Sequence, residues 1–255
     1  MKRIKLIVAY EGTNYCGWQI QKNGITVEEV LNRELGRLLG EQIHVIGASR
    51  TDAGVHALGN VAVFDTESRI PGDKFSFALN QRLPEDIRIQ GSEEVAPDFH
   101  PRYQSSVKTY EYRIYNGTFE MPLYRKTAYF FHRPLNIRNM QEAASYLVGE
   151  HDFAAFCSAH AQVKTTTRTI YDASVSVREA EGCQNAQMVC FRVSGNGFLY
   201  NMVRILAGTL TEIGTGRYPP ERMLEILNSK DRGLAGPCAP PQGLTLLNIA
   251  YRKDR

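Results

Sequence analysis

"GASRTDAGVHA" (residues 47–57) joins two apolar segments of the sequence and places Arg50, Thr51 and Asp52 in succession between them. A connection between two strands needs turn-forming residues, but it does not need an arginine beside an aspartate. In one interpretation, the Asp52 side chain accepts a hydrogen bond from a nearby backbone N–H, as is common in turns. In the other, Asp52 is a carboxylate at the mouth of a cleft, and a nearby guanidinium keeps it ionised. This stretch alone leaves both interpretations open.

The segments around this stretch predict strands and helices in a recognisable order. Four runs rich in β-branched and apolar residues predict strands, and two runs with helical periodicity predict helices. The predicted strands are RIKLIVAY (3–10), QIHVIGA (42–48), NVAVFDT (60–66) and IRIQGSEEV (87–95), and the predicted helices are TVEEVLNRELGRLLG (26–40) and DKFSFALNQRL (73–83). The order strand-helix-strand-strand-helix-strand is typical of the split βαβ, ferredoxin-like arrangement.

The first predicted helix has signals at both ends. Thr26 is a good N-cap residue, Glu29 stands where a capping box needs its partner, and Gly40 marks the end. The residues expected on its apolar face are Val27, Val30, Leu31, Leu35, Leu38 and Leu39.

The second part of the chain repeats this topology without repeating the sequence. The predicted strands are VKTYEYRIYN (107–116), an extra TAYFFHR (127–133), TIYDASVSV (169–177), AQMVCFRVS (186–194) and LTLLNIAYR (244–252). The predicted helices are NIRNMQEAASYLVG (136–149), FLYNMVRILAGTLTEIG (198–214) and PPERMLEILNS (219–229), and GEHDFAAFCS (149–158) predicts a structural turn. We therefore expect an α+β protein with ferredoxin-like halves at 1–104 and 105–255. If their sheets join edge to edge, a cleft forms between the halves.

Composition predicts a soluble cytoplasmic protein without metal or membrane segment. Hydrophobic residues make up 43% and charged residues 22% of the chain, which is ordinary for a globular protein. The N-terminal apolar run is too short for a signal peptide, and no run reaches the length of a membrane span. The net charge of +3 permits a nucleic-acid partner without requiring one. The cysteines show no zinc-ligand spacing, so we expect reduced thiols at Cys16, Cys157, Cys183, Cys190 and Cys238.

Two further stretches carry candidate site residues. In KTYEYRIYN, a strand would place Lys108, Tyr110, Tyr112 and Ile114 on one face, either as ordinary strand packing or as an aromatic platform that stacks on a base. In GNGFLYNMVRILAG, Phe198, Met202, Ile205 and Leu206 would form the core face of a helix. Arg204 lies in this apolar segment and should find a carboxylate, since a buried unpaired charge is costly. The partner is either a structural carboxylate or Asp52.

The sequence resembles the tRNA pseudouridine synthase A family over nearly its whole length. The likeness rests on six stretches in the family's order, which are YEGTNYCGWQ, SRTDAGVHA, DFHPRYQSSVKTYEYRIYN, GEHDFAAFCS, GNGFLYNMVRILAG and AGPCAPPQGL. One departure is Ser49, where the family commonly has glycine. The resemblance implies the pseudouridine synthase fold, with two ferredoxin-like halves joined into a mixed, mainly antiparallel sheet, helices packed on it and a central cleft.

The resemblance also implies an activity and its site residues. Members convert uridine to pseudouridine at positions 38, 39 and 40 of the tRNA anticodon stem-loop, without metal or organic cofactor, as homodimers in which one tRNA contacts both subunits. Asp52 corresponds to the catalytic aspartate, and Tyr110 to the tyrosine that stacks on the target base. Arg204 corresponds to the arginine that pairs with the aspartate, and Arg50 to the arginine implicated in base flipping.

The tRNA should be held mainly through its phosphates and its shape. Reasonable RNA contacts, each of which could equally be an ordinary solvated residue, are Arg102, Lys108, Arg113, Lys164, Arg168 and Arg217.

Three other functions compete with this interpretation. A non-catalytic tRNA-binding module would be favoured by loss of Asp52 or Arg204, and both are present. A carboxylate enzyme acting on nucleosides or glycosides needs a second carboxylate at a fixed separation, and no such pair stands out. The third is a related pseudouridine synthase that modifies other positions of tRNA.

Overall fold

The computed structural model describes residues 1–158, 164–180 and 185–251. The chain divides into unit 1, which comprises Met1–Ser106 and Leu246–Arg255, and unit 2, which comprises Val107–Thr245. The predicted halves, 1–104 and 105–255, differ from these units in the placement of the last strand. That strand, β10 (Leu244–Tyr251), is hydrogen-bonded to a strand of unit 1, and sequence order does not show which strand a terminal strand will join. Arg252, the end of the predicted last strand, lies outside the described residues.

Unit 1 contains antiparallel strands and helices, and these elements follow one another along the chain in the predicted order. It contains β1 (Lys2–Tyr10), α1 (Val27–Leu39), β2 (Ile46–Gly47), β3 (His56–Thr66), α2 (Phe75–Asn80) and β4 (Ile87–Val95). The strand order is β4-β1-β3-β10, with β2 also paired to β3. Since β1 lies along β3 from Thr66 to Ala57, β2 and β10 share the other edge of β3. The order β4-β1-β3-β2 confirms the ferredoxin-like prediction for this part of the chain.

The ends of α1 follow the predicted signals. The Thr26 hydroxyl accepts a hydrogen bond from the Glu29 backbone N–H at 3.3 Å, and Gly40 ends the helix in a left-handed conformation. Val27, Val30 and Leu31 are buried, as is Leu35. The last two residues predicted for the apolar face, Leu38 and Leu39, are only half-buried.

Two predicted elements of unit 1 are shorter than expected. Residues 42–48 were predicted as one strand, but the strand covers only Ile46–Gly47, after which the Ala48 N–H donates to the Val61 carbonyl of β3. The Val45 N–H donates to the Asn32 side chain of α1 at 2.8 Å, so the residue before the strand is bound to the helix. The helix predicted at 73–83 covers only Phe75–Asn80, and its last residue, Asn80, binds the backbone N–H and C=O of Ile89 with its side chain.

The strands of unit 2 belong to the same ten-stranded sheet as those of unit 1 and are mainly antiparallel. Its elements are β5 (Ser106–Asn116), β6 (Tyr129–Phe131), α3 (Ile137–Ser145), β7 (Gly149–Asp152), β8 (Thr167–Glu179), β9 (Gln187–Gly195), α4 (Met202–Gly214) and α5 (Arg222–Ser229). The strand order is β5-β9-β8-β7, with β6 parallel to β5. The strands β5, β9 and β8 correspond to the first, third and second strands of a ferredoxin-like arrangement.

The structure corrects two predictions in unit 2. The stretch at 149–158 was predicted as a turn, but its first residues form β7, which pairs with β8. The helix predicted at 198–214 begins at Met202, because Asn201 has a φ of 59° and a left-handed residue does not continue an α-helix. Phe198 therefore precedes the helix instead of lying on its core face.

The helix α4 forms the centre of unit 2. Nearly every residue from Met202 to Gly214 is buried, which explains the continuous apolar run in its sequence. No helix within the described residues is long and apolar enough to cross a membrane.

The two faces of β5 have different surroundings. Tyr110, Tyr112 and Ile114 are buried on one face, as the alternation predicts. On the other face lies Glu111, whose side chain is 1% exposed. Its carboxylate accepts hydrogen bonds from Arg113 at 2.8 Å and from Arg178 and Arg192 at 3.2 Å. Burial alone would raise the pKa of Glu111, but the three guanidinium groups hold it below its ordinary value.

Replacing Glu111 by Gln should therefore change stability in a pH-dependent way. A carboxylate with a lowered folded-state pKa stabilises the fold above its ordinary pKa, and this contribution disappears as the pH falls through the folded-state pKa. We expect Glu111→Gln to lower the free energy of unfolding by about 2 kcal/mol at pH 7, the size of hydrogen bonds to a charged group, because the arginines left behind are partly exposed. The difference from wild type should shrink below about pH 4. Urea unfolding at several pH values measures this, with exposed Glu150→Gln as the control. An equal loss at every pH would contradict it.

Candidate active site

The stretch at 47–57 forms a tight, ordered loop in unit 1. The Val55 N–H donates to the Asp52 carbonyl at 3.1 Å, which closes a four-residue turn. Gly54 has a φ of +77°, the value that a type II turn requires at this position. Gly54 therefore allows the turn to be tight. Asp52 is half-buried at the start of this turn, and Arg50 is exposed.

A buried side-chain amide holds the first part of the loop. Asn60, on β3, is fully buried. Its side-chain oxygen accepts from the Ser49 N–H at 3.3 Å, and its NH₂ group donates to the Ser49 carbonyl at 3.0 Å. The same NH₂ group lies 3.4 Å from the Tyr10 hydroxyl, which is hydrogen-bonded to the Thr51 hydroxyl at 2.7 Å. Both neighbours of Arg50 are thus fixed from β1 and β3.

The segment after β1 packs against the second part of the loop. The backbone N–H of Trp18 donates to the Thr51 carbonyl at 3.0 Å, and the Gly54 N–H donates to the Tyr15 carbonyl at 3.3 Å. The Gly12 N–H donates to Nδ1 of His56 at 2.9 Å. Backbone hydrogen bonds from a neighbouring segment therefore fix the residues on both sides of Asp52.

Glycines make this close packing possible. A Cβ atom on Gly12 would collide with the Val55 carbonyl oxygen, and one on Gly17 would lie 2.5 Å from the Thr51 carbonyl oxygen. A Cβ atom on Gly47 would collide with the indole of Trp18, which is 1% exposed. Larger residues at these positions would displace the loop that carries Asp52.

Tyr110 and Arg204 belong to unit 2. Tyr110 is 6% exposed. Its ring contacts the ring of Phe198 edge to face, with the two ring centroids 5.1 Å apart. Arg204 is half-buried in the first turn of α4. Its guanidinium donates to the Ala239 carbonyl at 2.7 Å and to the Asn201 side chain at 2.9 Å.

One extended segment connects α4 with β5. The Tyr112 hydroxyl donates to the Pro240 carbonyl at 2.8 Å, next to the Ala239 carbonyl that binds Arg204. Gly243 packs against the Tyr112 ring, where a Cβ atom would lie 2.7 Å from the ring. The Pro- and Gly-rich segment therefore holds the Arg204 helix and the Tyr110 strand in a fixed relation within unit 2.

The predicted RNA contacts have varied surroundings. Arg102 and Lys164 are exposed, and Lys108 is half-buried on β5. Arg168 donates to the carbonyls of Thr165 and Thr167. Arg113 is bound to Glu111, and Arg217 donates to Glu212 at 2.6 Å.

Within the described residues, no group of three or more His, Cys, Asp or Glu side chains could hold a metal ion. Cys16, Cys157, Cys190 and Cys238 are free thiols, and Cys183 lies outside the described part of the chain.

Comparison with known proteins agrees with this architecture. The sequence matches the model of a family described as tRNA pseudouridine synthase over residues 6–104 and 143–252. The tRNA pseudouridine synthase A of Ruminiclostridium cellulolyticum is 50% identical over 251 residues, which cover 98% of this chain and 100% of that protein. The enzymes of the same name from Acetivibrio thermocellus and Clostridium acetobutylicum are 48% and 45% identical over the same shares. The chain belongs to the tRNA pseudouridine synthase family, whose members are isomerases, and the fold class and resemblance predicted from the sequence are confirmed.

Several residues that shape the loop were not predicted from the sequence. Asn60 stands in the apolar strand NVAVF, and a polar side chain in a fully apolar run is a signal of a buried hydrogen bond. Tyr10, Trp18 and the glycines at 12 and 17 lie in the YEGTNYCGWQ region, where sequence spacing alone does not show what they contact.

Replacing Asn60 by Ala should destabilise the protein. The substitution leaves the buried N–H and C=O of Ser49 without their partner, which costs about 2 kcal/mol in the free energy of unfolding. Denaturant unfolding measures the loss, with exposed Asn23→Ala as the control. A loss below roughly 0.5 kcal/mol, the size of an ordinary surface substitution, would show that the amide does not hold the loop.

Proposed function

We propose that this enzyme isomerises uridine to pseudouridine at positions 38, 39 and 40 of the tRNA anticodon stem-loop, with Asp52 as the catalytic carboxylate. The observation that carries the proposal is the fixed loop at 47–57, in which the residues on both sides of Asp52 are tied by hydrogen bonds to β3 and to the segment after β1. A reacting group held this firmly needs little reorganisation during the reaction. The loop motif corresponds to the family's catalytic motif at Arg50 and Asp52.

The reaction rearranges bonds within one nucleotide. The bond between N1 and C1′ breaks, the uracil rotates, and C5 bonds to C1′. The hydrogen leaves C5 and a proton is gained at N1, so atoms and electrons balance without another reactant. An ionised Asp52 could attack C1′ covalently, or act as a base while stabilising positive charge at the sugar.

The target base must first leave the RNA stack, at a cost of about a few kcal/mol. We propose that Arg50 fills the space that the base vacates, which its exposed position in the loop supports. Tyr110 would then replace the lost stacking, and the ring of Phe198 keeps Tyr110 oriented. Arg204 would keep Asp52 ionised, since a carboxylate in a dry pocket otherwise tends to protonate.

The remaining proposals follow the family likeness. The enzyme would act in the cytoplasm as a homodimer, with one tRNA contacting both copies. RNA phosphates would meet exposed basic residues, among which Arg102 and Lys164 are accessible in the structure.

Replacing Asp52 by Asn should abolish the reaction. Tritium release from tRNA that carries uridine-5-³H reports loss of the C5 hydrogen. We expect release to fall at least about a thousandfold, as for removal of an essential catalytic group, while tRNA affinity stays within about threefold because the loop backbone is unchanged. Exposed Asp73→Asn should leave the rate unchanged. If Asp52→Asn released tritium at the wild-type rate, the proposal would be contradicted. If wild type bound tRNA tightly but released no tritium, a non-catalytic binding module would be favoured.

The enzyme should modify whichever of positions 38, 39 and 40 carries a uridine in the tRNA substrate. Transcripts with a single uridine at 38, 39 or 40 should each gain one pseudouridine at that position, because base flipping selects a local site in the stem-loop. Carbodiimide labelling and primer extension locate the product. Modification elsewhere in the tRNA, with none at these positions, would point to a related synthase with other targets.

A further inference from the structure

We propose that Arg113, Arg178 and Arg192 form a second binding site for RNA phosphates, on the face of the unit 2 sheet opposite Tyr110. The proposal rests on the proposed function, because the phosphates would be those of tRNA. It places a part of the RNA other than the target nucleotide on this face, since Tyr110 and Glu111 point to opposite sides of β5.

A shared buried carboxylate gathers the three arginines. They come from three neighbouring strands, and each donates one hydrogen bond to Glu111, at 2.8 Å from Arg113 and 3.2 Å from the others. Their side chains remain 34%, 52% and 47% exposed. The carboxylate is thus enclosed by the protein, while the guanidinium groups face water.

The three arginines carry more positive charge than Glu111 carries negative charge. Three guanidinium groups meet a single carboxylate, so a surplus of positive charge remains at the surface. A guanidinium has five N–H donors, and the hydrogen bonds to Glu111 use one from each arginine. Most of the donors therefore stay available to an anion, and Glu111 limits the conformational freedom that binding would otherwise remove.

Polar side chains continue this face of the sheet. Ser174 lies opposite Arg192, and Ser176 lies opposite Cys190. Both serines are exposed, whereas Val175 between them is buried. Asp172, the next residue of β8 on this side, is exposed opposite Ser194, so three guanidinium groups share the face with two carboxylates and a net positive charge remains. The face therefore offers hydroxyl donors beside the guanidinium groups, and such donors recur in protein contacts with phosphates.

A nucleic-acid backbone suits this chemistry better than a protein surface does. The guanidinium fork matches phosphate oxygens in two parallel hydrogen bonds. Tyr115, Met188 and Cys190 on this side are buried, so the exposed part of the face is made of the three guanidinium groups and the serine hydroxyls, whereas the centre of a protein interface is poor in charge. A second cluster provides a comparison, since Arg33 and Arg37 bind the buried Glu34 on α1. Among the described residues, two guanidinium groups meet that carboxylate, and they project from a helix.

The test compares two double variants in tRNA binding at several salt concentrations. R178Q/R192Q removes two charges and keeps Arg113 as a partner for Glu111, and R33Q/R37Q is the matched control. We expect R178Q/R192Q to make the slope of log K against log [salt] shallower by about 1 to 2 and to weaken binding about tenfold near 0.1 M salt. The control should keep the wild-type slope and affinity. Tritium release at saturating tRNA should stay within about twofold of wild type for both variants, because neither pair touches the reacting base.

Several outcomes would contradict the proposal of a second RNA site. These are an unchanged slope in R178Q/R192Q, an equal loss in both double variants, or absence of tRNA binding by wild type. A change in molar mass by light scattering with unchanged tRNA affinity would show that the face binds a second protein chain instead. Failure of the proposed function can be told apart from failure of this site. In that case wild type would release no tritium from tRNA, while R178Q/R192Q would still bind tRNA more weakly than wild type. Unfolding curves confirm that both variants are folded.

Discussion

The buried amide of Asn60 is the interaction on which the candidate site depends. It binds both backbone groups of Ser49 and reaches the hydroxyl of Tyr10, which in turn binds Thr51. These contacts connect β1 and β3, the central strands of unit 1, to the two residues that flank Arg50. Because every partner is buried, breaking this network would leave polar groups without water or protein partners. The loop therefore takes its conformation from the core of the sheet.

A loop fixed in this way suits the catalytic role that we propose for Asp52. Catalytic groups are often on loops, and such loops work only where a rigid scaffold positions them. The contacts at Gly12 and Gly17 bring a second backbone segment against the loop without space for side chains. In unit 2, the Pro- and Gly-rich segment has a comparable role, since its adjacent carbonyls bind Tyr112 and Arg204. Each unit thus uses backbone contacts to hold its candidate residues.

The sequence predicted the element order better than the element ends. Alternation and helical periodicity revealed most strands and helices, including the caps Thr26 and Gly40, because these signals are local. The strand predicted at 42–48 is too long because the side chain of Asn32, in the preceding helix, binds Val45 in place of a sheet partner. The predicted start of α4 was wrong because Asn201 has a left-handed backbone, which the apolar periodicity of the run does not show.

The candidate site shows the same limit. Asp52, Arg50, Tyr110 and Arg204 were assigned through a family motif, and their roles stay predictions. The network around Asn60 was missed, because hydrogen bonds between residues distant in sequence leave no periodic pattern. The Glu111 cluster could not be predicted either, because its arginines come from three strands and the sequence does not show the register in which these strands pair.

Amide hydrogen exchange of wild-type protein without RNA tests most directly whether the loop is organised before the substrate binds. The N–H groups of Ala48, Ser49, Gly54 and Val55 each have a hydrogen-bond partner in the structure. We expect peptides covering residues 47–57 to exchange as slowly as the adjoining strand β3, and to change little when tRNA is added. Fast exchange that slows only with tRNA would show that the RNA orders the loop, and would contradict this account.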